Sequence, residues 1–135
     1  MGKDNHIIVK YQPNTYLSYM KLIITENQKD RIIEKLIFKH LDKQNYNQID
    51  VNDRIYFFKN IGDRFADIRF DKSEGWCYIQ YDLVSFFSRI FSIEESDIKD
   101  VIGRWVEHTL QMEVKDTYTD FLGRQTGLNI PYNNI

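Results

Sequence analysis

One cysteine, Cys77, is all the sequence offers, so no disulfide can close within the chain and no cluster of thiolates can hold a metal. Prolines number two, Pro13 and Pro131, and neither interrupts the helical and strand patterns read below. Charge of one sign is also missing: 18 Lys and Arg stand against 20 Asp and Glu, a formal net charge of -2. That balance argues against a disordered chain and against a generic binder of polyanions. No apolar run approaches the roughly 20 residues that a membrane-spanning helix needs. The opening Met1-Gly2-Lys3-Asp4-Asn5-His6 lacks the apolar region of a signal peptide and the Ser or Thr of a myristoylation site. A reducing cytoplasm is therefore the expected setting. The phosphate-binding, dinucleotide-binding and nucleophile-elbow patterns are absent, and His6, His40 and His108 are too scattered for the H-E-x-x-H metal spacing, so neither cofactor nor metal is expected.

What is present is apolar and aromatic. In 135 residues, 42% are hydrophobic and 15% aromatic, enough for one domain with a substantial core. Charge is distributed unevenly: residues 1–50 carry eight basic and six acidic side chains, 51–81 five of each, and 82–135 five basic and nine acidic. The C-terminal third is acidic.

Met20-Lys21-Leu22-Ile23-Ile24-Thr25-Glu26-Asn27-Gln28 reads as a short strand running into a helix. Thr25 and Gln28 have the spacing of a capping box, in which each side chain satisfies a backbone N–H of the other at the helix start. Met20 is a candidate alternative start, which makes residues 1–19 an N-terminal extension, either disordered or an added strand over His6 to Tyr11. The same nine residues resemble the opening M-K-x-I-I-T-E-x-Q of small uncharacterised proteins of tailed phages of marine bacteria. The resemblance implies a phage-encoded chain and host cytoplasm as its location, and brings no activity, cofactor or site residue with it.

Residues 20–116 form the expected single domain. From Glu26 to about Asp42, Ile32, Ile33, Leu36, Ile37 and Leu41 recur at helical spacing. Asn45, Asn47, Asp50, Asn52 and Asp53 then favour turns. Arg54 to Lys59, Arg64 to Phe70 and Trp76 to Tyr81 read as three strands joined by short turn-rich links, hence an antiparallel meander. Asp82 opens a helix with Leu83, Phe86, Phe87 and Ile90 inward. Ser92 and Glu95 suggest a second capping box before a helix striped by Ile98, Val101, Ile102, Trp105, Val106, Thr109 and Leu110. Residues 117–135, with Gly123, Gly127 and Pro131, read as an irregular tail pinned by Phe121, Leu122 or Tyr132. The expected fold is α+β: a three-stranded antiparallel meander, widened to four if Leu22 to Ile24 joins it, packed by an N-terminal helix and a C-terminal helical hairpin.

Three functional readings compete. The helical hairpin Leu83 to Leu110 has the outline of a helix-turn-helix, but Glu94, Glu95, Asp97 and Asp100 would meet the phosphates, so it reads as structural. A better nucleic-acid case uses Tyr56, Phe58, Phe65, Trp76 and Tyr78 to stack single-stranded bases while Lys59, Arg64 and Arg69 meet phosphates. Against it, strand aromatics serve packing, and Asp63, Asp67 and Asp71 cancel the local field. An enzyme would have to draw on Asp67, Arg69 and Asp71, a row that reads more simply as an ion network on one strand face. Cys77 reads as a buried inert thiol. The reading favoured by elimination is a non-enzymatic protein-interaction or assembly module, self-associating or accessory to a protein partner, because Tyr and Phe beyond core demand are what interfaces enrich. Single-strand binding is the alternative and an enzyme the third. The unpaired edge of a short sheet is a further route to a partner.

Overall fold

The structure is a computed structural model that describes residues 7–11, 21–121 and 127–132, with side chains from residue 26 onward. Met20, Leu122 and the Thr25 side chain of the first capping box lie outside the described residues. The chain divides into two units, Met1–Leu36 and Ile37–Ile135. In the first, β1 (Ile7–Tyr11) and β2 (Lys21–Thr25) pair antiparallel in the register Ile7↔Thr25 to Tyr11↔Lys21. The segment Leu22 to Ile24 therefore pairs with β1 in a two-stranded sheet of its own and does not widen the main one.

The division falls inside α1 (Glu26–Lys43), whose start follows directly on Thr25 as its sequence predicts. The buried stripe is narrower than expected. Ile33, Ile37 and Leu41, spaced by four, are buried, whereas Ile32 and Leu36 are half exposed. Adjacent apolar pairs cannot both point along one line of a helix, so one of each pair faces away.

The second unit is built on a five-stranded mixed sheet in the order β3-β4-β5-β6-β7. The meander is present as β4 (Arg54–Phe58), β5 (Ile68–Asp71) and β6 (Trp76–Gln80), each antiparallel to the next. Two further strands were not expected. β3 (Asn47–Val51) pairs antiparallel with β4, and β7 (Asp116–Asp120) pairs parallel with β6. The polar stretch read as turns is thus a strand followed by a turn: Asn52 and Asp53 have φ of 53° and 73°, the two left-handed residues that a tight twisted hairpin requires. Likewise, the supposed irregular tail opens with β7. Arg64 to Asp67, read as the start of β5, is instead a connection that meets the C-terminal segment at the isolated bridge Phe65↔Asn129.

Strand alternation sorts the sheet into two faces. Ile55, Phe57, Ile68, Phe70, Cys77 and Ile79 share one face and are all buried. Over them lie α2 (Tyr81–Phe91) and α3 (Glu95–Leu110), the two-helix crossover that parallel pairing of β6 with β7 demands. Trp105 of α3 meets Phe57 with ring centroids 5.5 Å apart. Its indole N–H donates to Asp42 Oδ1 at 2.9 Å. Gly103 lets α3 sit close on β7, since a Cβ there would lie 2.6 Å from Thr117 Cγ2. In α2 the inward residues are Leu83, Val84 and Phe87, while Phe86 and Ile90 face out, a correction to the expected stripe. The Ser92 and Glu95 box does not form. Only three residues separate the helices, and Ser92 is already spent as the left-handed stop of α2, φ 53°, with its N–H on Ser88 O. Glu94 caps α3 without a side-chain bond.

Candidate functional site

On the opposite face, residues 127–132 cross part of the sheet as a strap. Cross-strand register lines up Tyr56, Arg69, Tyr78 and Tyr118 in one row and Arg54, Asp71, Trp76 and Asp116 in the next. The strap packs on the β4 side, where Tyr56, Phe58, Ala66 and Ile130 form a small buried cluster flanked by Ile49 and Tyr132. Ala66 N–H donates to Leu128 O at 2.8 Å, and Ile130 N–H donates to Arg64 O at 3.1 Å. Tyr132 returns its hydroxyl to the turn as acceptor for Gly62 N–H at 3.0 Å.

Arg69 is the post between strap and sheet. Its Nε and Nη2 donate to the two oxygens of Asp71 at 2.8 and 3.0 Å, and its Nη1 donates to Gly127 O at 2.7 Å. The guanidinium lies 4.1 Å from the centroid of the Tyr78 ring, within cation–π range. Both charged side chains are more than nine-tenths buried, at 7% and 8% exposure. Gly127 N–H in turn donates to Asp120 Oδ2 at 2.9 Å, and a Cβ on Gly127 would collide with Arg69 Nη1.

Beyond the strap, on the β6 and β7 side, the face is open. Trp76 is 37% and Tyr118 36% exposed. Trp76 meets Tyr118 edge to face at 5.6 Å, and Tyr118 stacks on Tyr78 at 5.3 Å. The Tyr118 hydroxyl donates to Asp116 Oδ2 at 3.1 Å, and desolvation first, then this bond to the carboxylate, holds its pKa above the usual phenol value. The exposed carboxylate of Asp116, opposite Trp76 in the β6–β7 register, lies beside this aromatic cluster.

The eight residues singled out from sequence are therefore divided. Trp76, Tyr78 and Arg69 meet on one face. Tyr56 and Phe58 share that face but are covered, because aliphatic strap residues need an apolar seat. Arg64 lies over the Phe65 ring at 5.1 Å in the β4–β5 connection. Lys59 is elsewhere. Tyr118 completes the aromatic cluster and was missed because its strand was; the β-prone Thr117-Tyr118-Thr119 was its one signal. The row Asp67, Arg69, Asp71 is also broken: Asp67 precedes β5 and turns to a different site, leaving Arg69 and Asp71 as a buried pair.

That second site is a hollow of about 380 Å³ at one end of the sheet, lined by His40, Gln44, Lys59, Asp67, Gln80, Asp82, Leu83 and Phe86. Tyr46 O–H donates to Asp67 Oδ2 at 2.8 Å, and Lys59 Nζ lies 3.6 Å from the same oxygen. Burial first, and the Asp67 charge second, push the Tyr46 phenol far above its ordinary pKa. Gln44 Nε2 lies 3.2 Å from His40 Nε2, and the His40 ring packs 5.5 Å from Phe86 and edge-on to Phe87 at 5.1 Å.

Cys77 is fully buried, and desolvation followed by the Asp71 charge pushes its thiol well above the usual range, so it is no nucleophile at neutral pH. Among the described residues, no group of three His, Cys, Asp or Glu is placed to hold a metal ion, and no helix is long and apolar enough to cross a membrane. No protein-family model, curated protein or solved structure matches this chain.

Proposed function

We propose that this protein is an interaction module that holds a protein partner, a second copy of itself or a larger assembly, on the open β6–β7 half of its sheet. The observation that carries the reading is the cluster in which Trp76 and Tyr118, each more than a third exposed, flank Tyr78, whose ring is held against the Arg69 guanidinium of the Arg69–Asp71 pair. Trp, Tyr and Arg are the residues that supply most binding energy at protein interfaces, and rigid aromatic anchors lose little entropy on docking. The Asp116 carboxylate beside the rings suits a partner with basic side chains.

Single-strand binding draws less support. It needs free cations beside exposed rings, but Arg69 is committed to Asp71 and Gly127, the half-exposed Arg54 leans on Asp71 with its Nε 3.7 Å away, Tyr56 and Phe58 are covered, and the Asp116 carboxylate lies beside the open rings. The test compares wild type with a Trp76→Ser, Tyr118→Ser double variant. Light scattering behind gel filtration over a range of concentrations, and titration with single-stranded DNA and RNA followed by tryptophan fluorescence, are read side by side. A concentration-dependent oligomer lost in the variant, with no response to nucleic acid, is the expected outcome. Salt-sensitive, saturable quenching by DNA or RNA would replace this reading with the alternative.

A further inference from the structure

We propose that the hollow lined by Asp67, Asp82, Gln80, Gln44, Lys59 and Phe86 is a binding site for a primary alkylammonium group, a small amine or the side chain of a lysine. This inference is independent of the open sheet face and of the partner that docks there.

Size and shape come first. A hollow of about 380 Å³ falls in the range that small-molecule sites occupy. Its polar groups come from distant parts of the chain: the end of α1, the residue after β4, the connection before β5 and the first turn of α2. The floor is preorganised. Asp67 is gripped from the protein side by the Tyr46 hydroxyl at 2.8 Å, and Tyr46 is held in turn by Trp105 and Phe57, with ring centroids 5.9 and 6.2 Å away. Burial and the neighbouring carboxylate keep that phenol protonated, so it remains a donor and Asp67 remains an acceptor.

Charge selects the ligand's sign. Two carboxylates, Asp67 and Asp82, face one ammonium, Lys59, so a phosphate or carboxylate ligand would enter against a net negative lining. Neutral acceptors add to this. Gln80 is the N-cap of α2 yet makes no capping bond, leaving its amide for the hollow. With the Gln44 amide N–H donating to His40 Nε2, Gln44 Oε1 is left as an acceptor. Phe86, 39% exposed beside the His40 ring, gives the wall an aromatic face, which attracts a cation and covers an alkyl chain. An ammonium has three donors and no acceptor, which is what a lining of carboxylates and amide carbonyls lacks.

Lys59 marks the place such a group would take. Its Nζ sits 3.6 Å from Asp67 Oδ2, too far for a hydrogen bond, and its side chain is 47% exposed. The protein's own ammonium is thus a loose occupant at the mouth. A ligand amine that reaches hydrogen-bonding distance would displace it toward solvent.

The experiment is an NMR titration of the full-length ¹⁵N-labelled protein, following the side-chain amide signals of Gln44 and Gln80. The probes are cadaverine, a lysine blocked at both ends, and 1-pentanol as the neutral chain control. Saturable shifts with the amines in the millimolar range, and none with pentanol, are expected. A preference for the blocked lysine would assign the source to a protein side chain, and a preference for cadaverine to a free amine. Asp82→Asn, an exposed change in the first turn of α2, should weaken binding about tenfold, the equivalent of one lost charge-assisted contact. Lys59→Met should tighten it by removing the competitor. Equal shifts with pentanol, affinity unchanged in Asp82→Asn, weaker binding in Lys59→Met, or no saturable shift would each overturn the proposal. Neither variant touches the Tyr46–Asp67 bond, so both are expected to fold, and the backbone spectrum verifies it.

Discussion

Replacing Arg69 with Met should unfasten the open side of the sheet. The guanidinium makes two hydrogen bonds to Asp71, one to Gly127 O, and covers the Tyr78 ring. Met fills much of the same volume but leaves the Asp71 carboxylate, 8% exposed, with only Arg54 Nε at 3.7 Å. Removing one partner of a buried pair in this way costs about 3–5 kcal/mol, because the orphaned charge stays desolvated. Against a total stability of about 5–15 kcal/mol for a domain, that is a large share. Asp71→Asn in the Arg69→Met background should recover part of the loss, with a coupling of about 1–3 kcal/mol between the two sites. Arg69→Lys is the sharper probe: a single ammonium cannot serve both oxygens of Asp71 and Gly127 together, so most of the loss should remain. Urea unfolding followed by fluorescence reads this directly, since Trp76 and Trp105 both lie in residues 37–135. A loss under about 1 kcal/mol for Arg69→Met, the value of an exposed pair, would refute the reasoning. So would a Lys variant as stable as wild type.

Gly103→Ala should gain about 1 kcal/mol of helix propensity. It should nevertheless lower the melting temperature, because a Cβ 2.6 Å from Thr117 Cγ2 overpacks the α3–β7 contact. Removing that methyl with Thr117→Ser in the same chain should restore stability. Gly127→Ala collides with Arg69 Nη1 and should lift the strap, which hydrogen exchange would register as lost protection at Ala66 and Ile130, whose N–H groups bond across it. The Tyr46 phenol and Cys77 thiol both have raised pKa values in the folded state, starting from 10.0 and 9.0. The folded chain therefore keeps protons that the unfolded chain releases above those values. Stability contributed by the two groups is complete below the ordinary thiol value and falls as pH rises past it, so the urea midpoint should drop from about pH 9 upward, more steeply past about pH 10. Tyr46→Phe and Cys77→Ala should each flatten that dependence, and Cys77 should react with a thiol reagent only once the protein unfolds.

Much of this fold was legible because local signals agreed. The start of α1 after Thr25, the meander strands β4 and β6, and the stripe Ile98, Val101, Ile102, Trp105 and Val106 of α3 each followed from period and turn chemistry alone. The missed strands share one property: they lie at the edges of the sheet. β3 offers only Ile49 and Val51 to a half-covered face, and its Asn and Asp residues mask the Asn52-Asp53 hairpin signal that follows. β7 pairs parallel with β6 across two intervening helices, so nothing beside it in sequence announces its partner. The sites were less legible still. Which strand aromatics stay open depends on where the strap lies, and the hollow around Asp67 joins four segments whose proximity only the fold creates. Asp67 and Arg69, two residues apart, looked like one row and serve two different places.

The order in which the sheet is assembled carries a consequence for its making. Strands β3 to β6 are joined by short links and can pair as soon as they leave the ribosome, but β6 waits for its outer neighbour until α2, α3 and Asp116–Asp120 have been synthesised. During that interval Trp76-Cys77-Tyr78-Ile79-Gln80 is an unpaired edge, uncharged and free of proline, a ready template for another nascent chain. Translation that stalls before Asp116 would leave that edge open, so aggregation of stalled chains, more than loss of activity, is the failure to which this topology is most exposed.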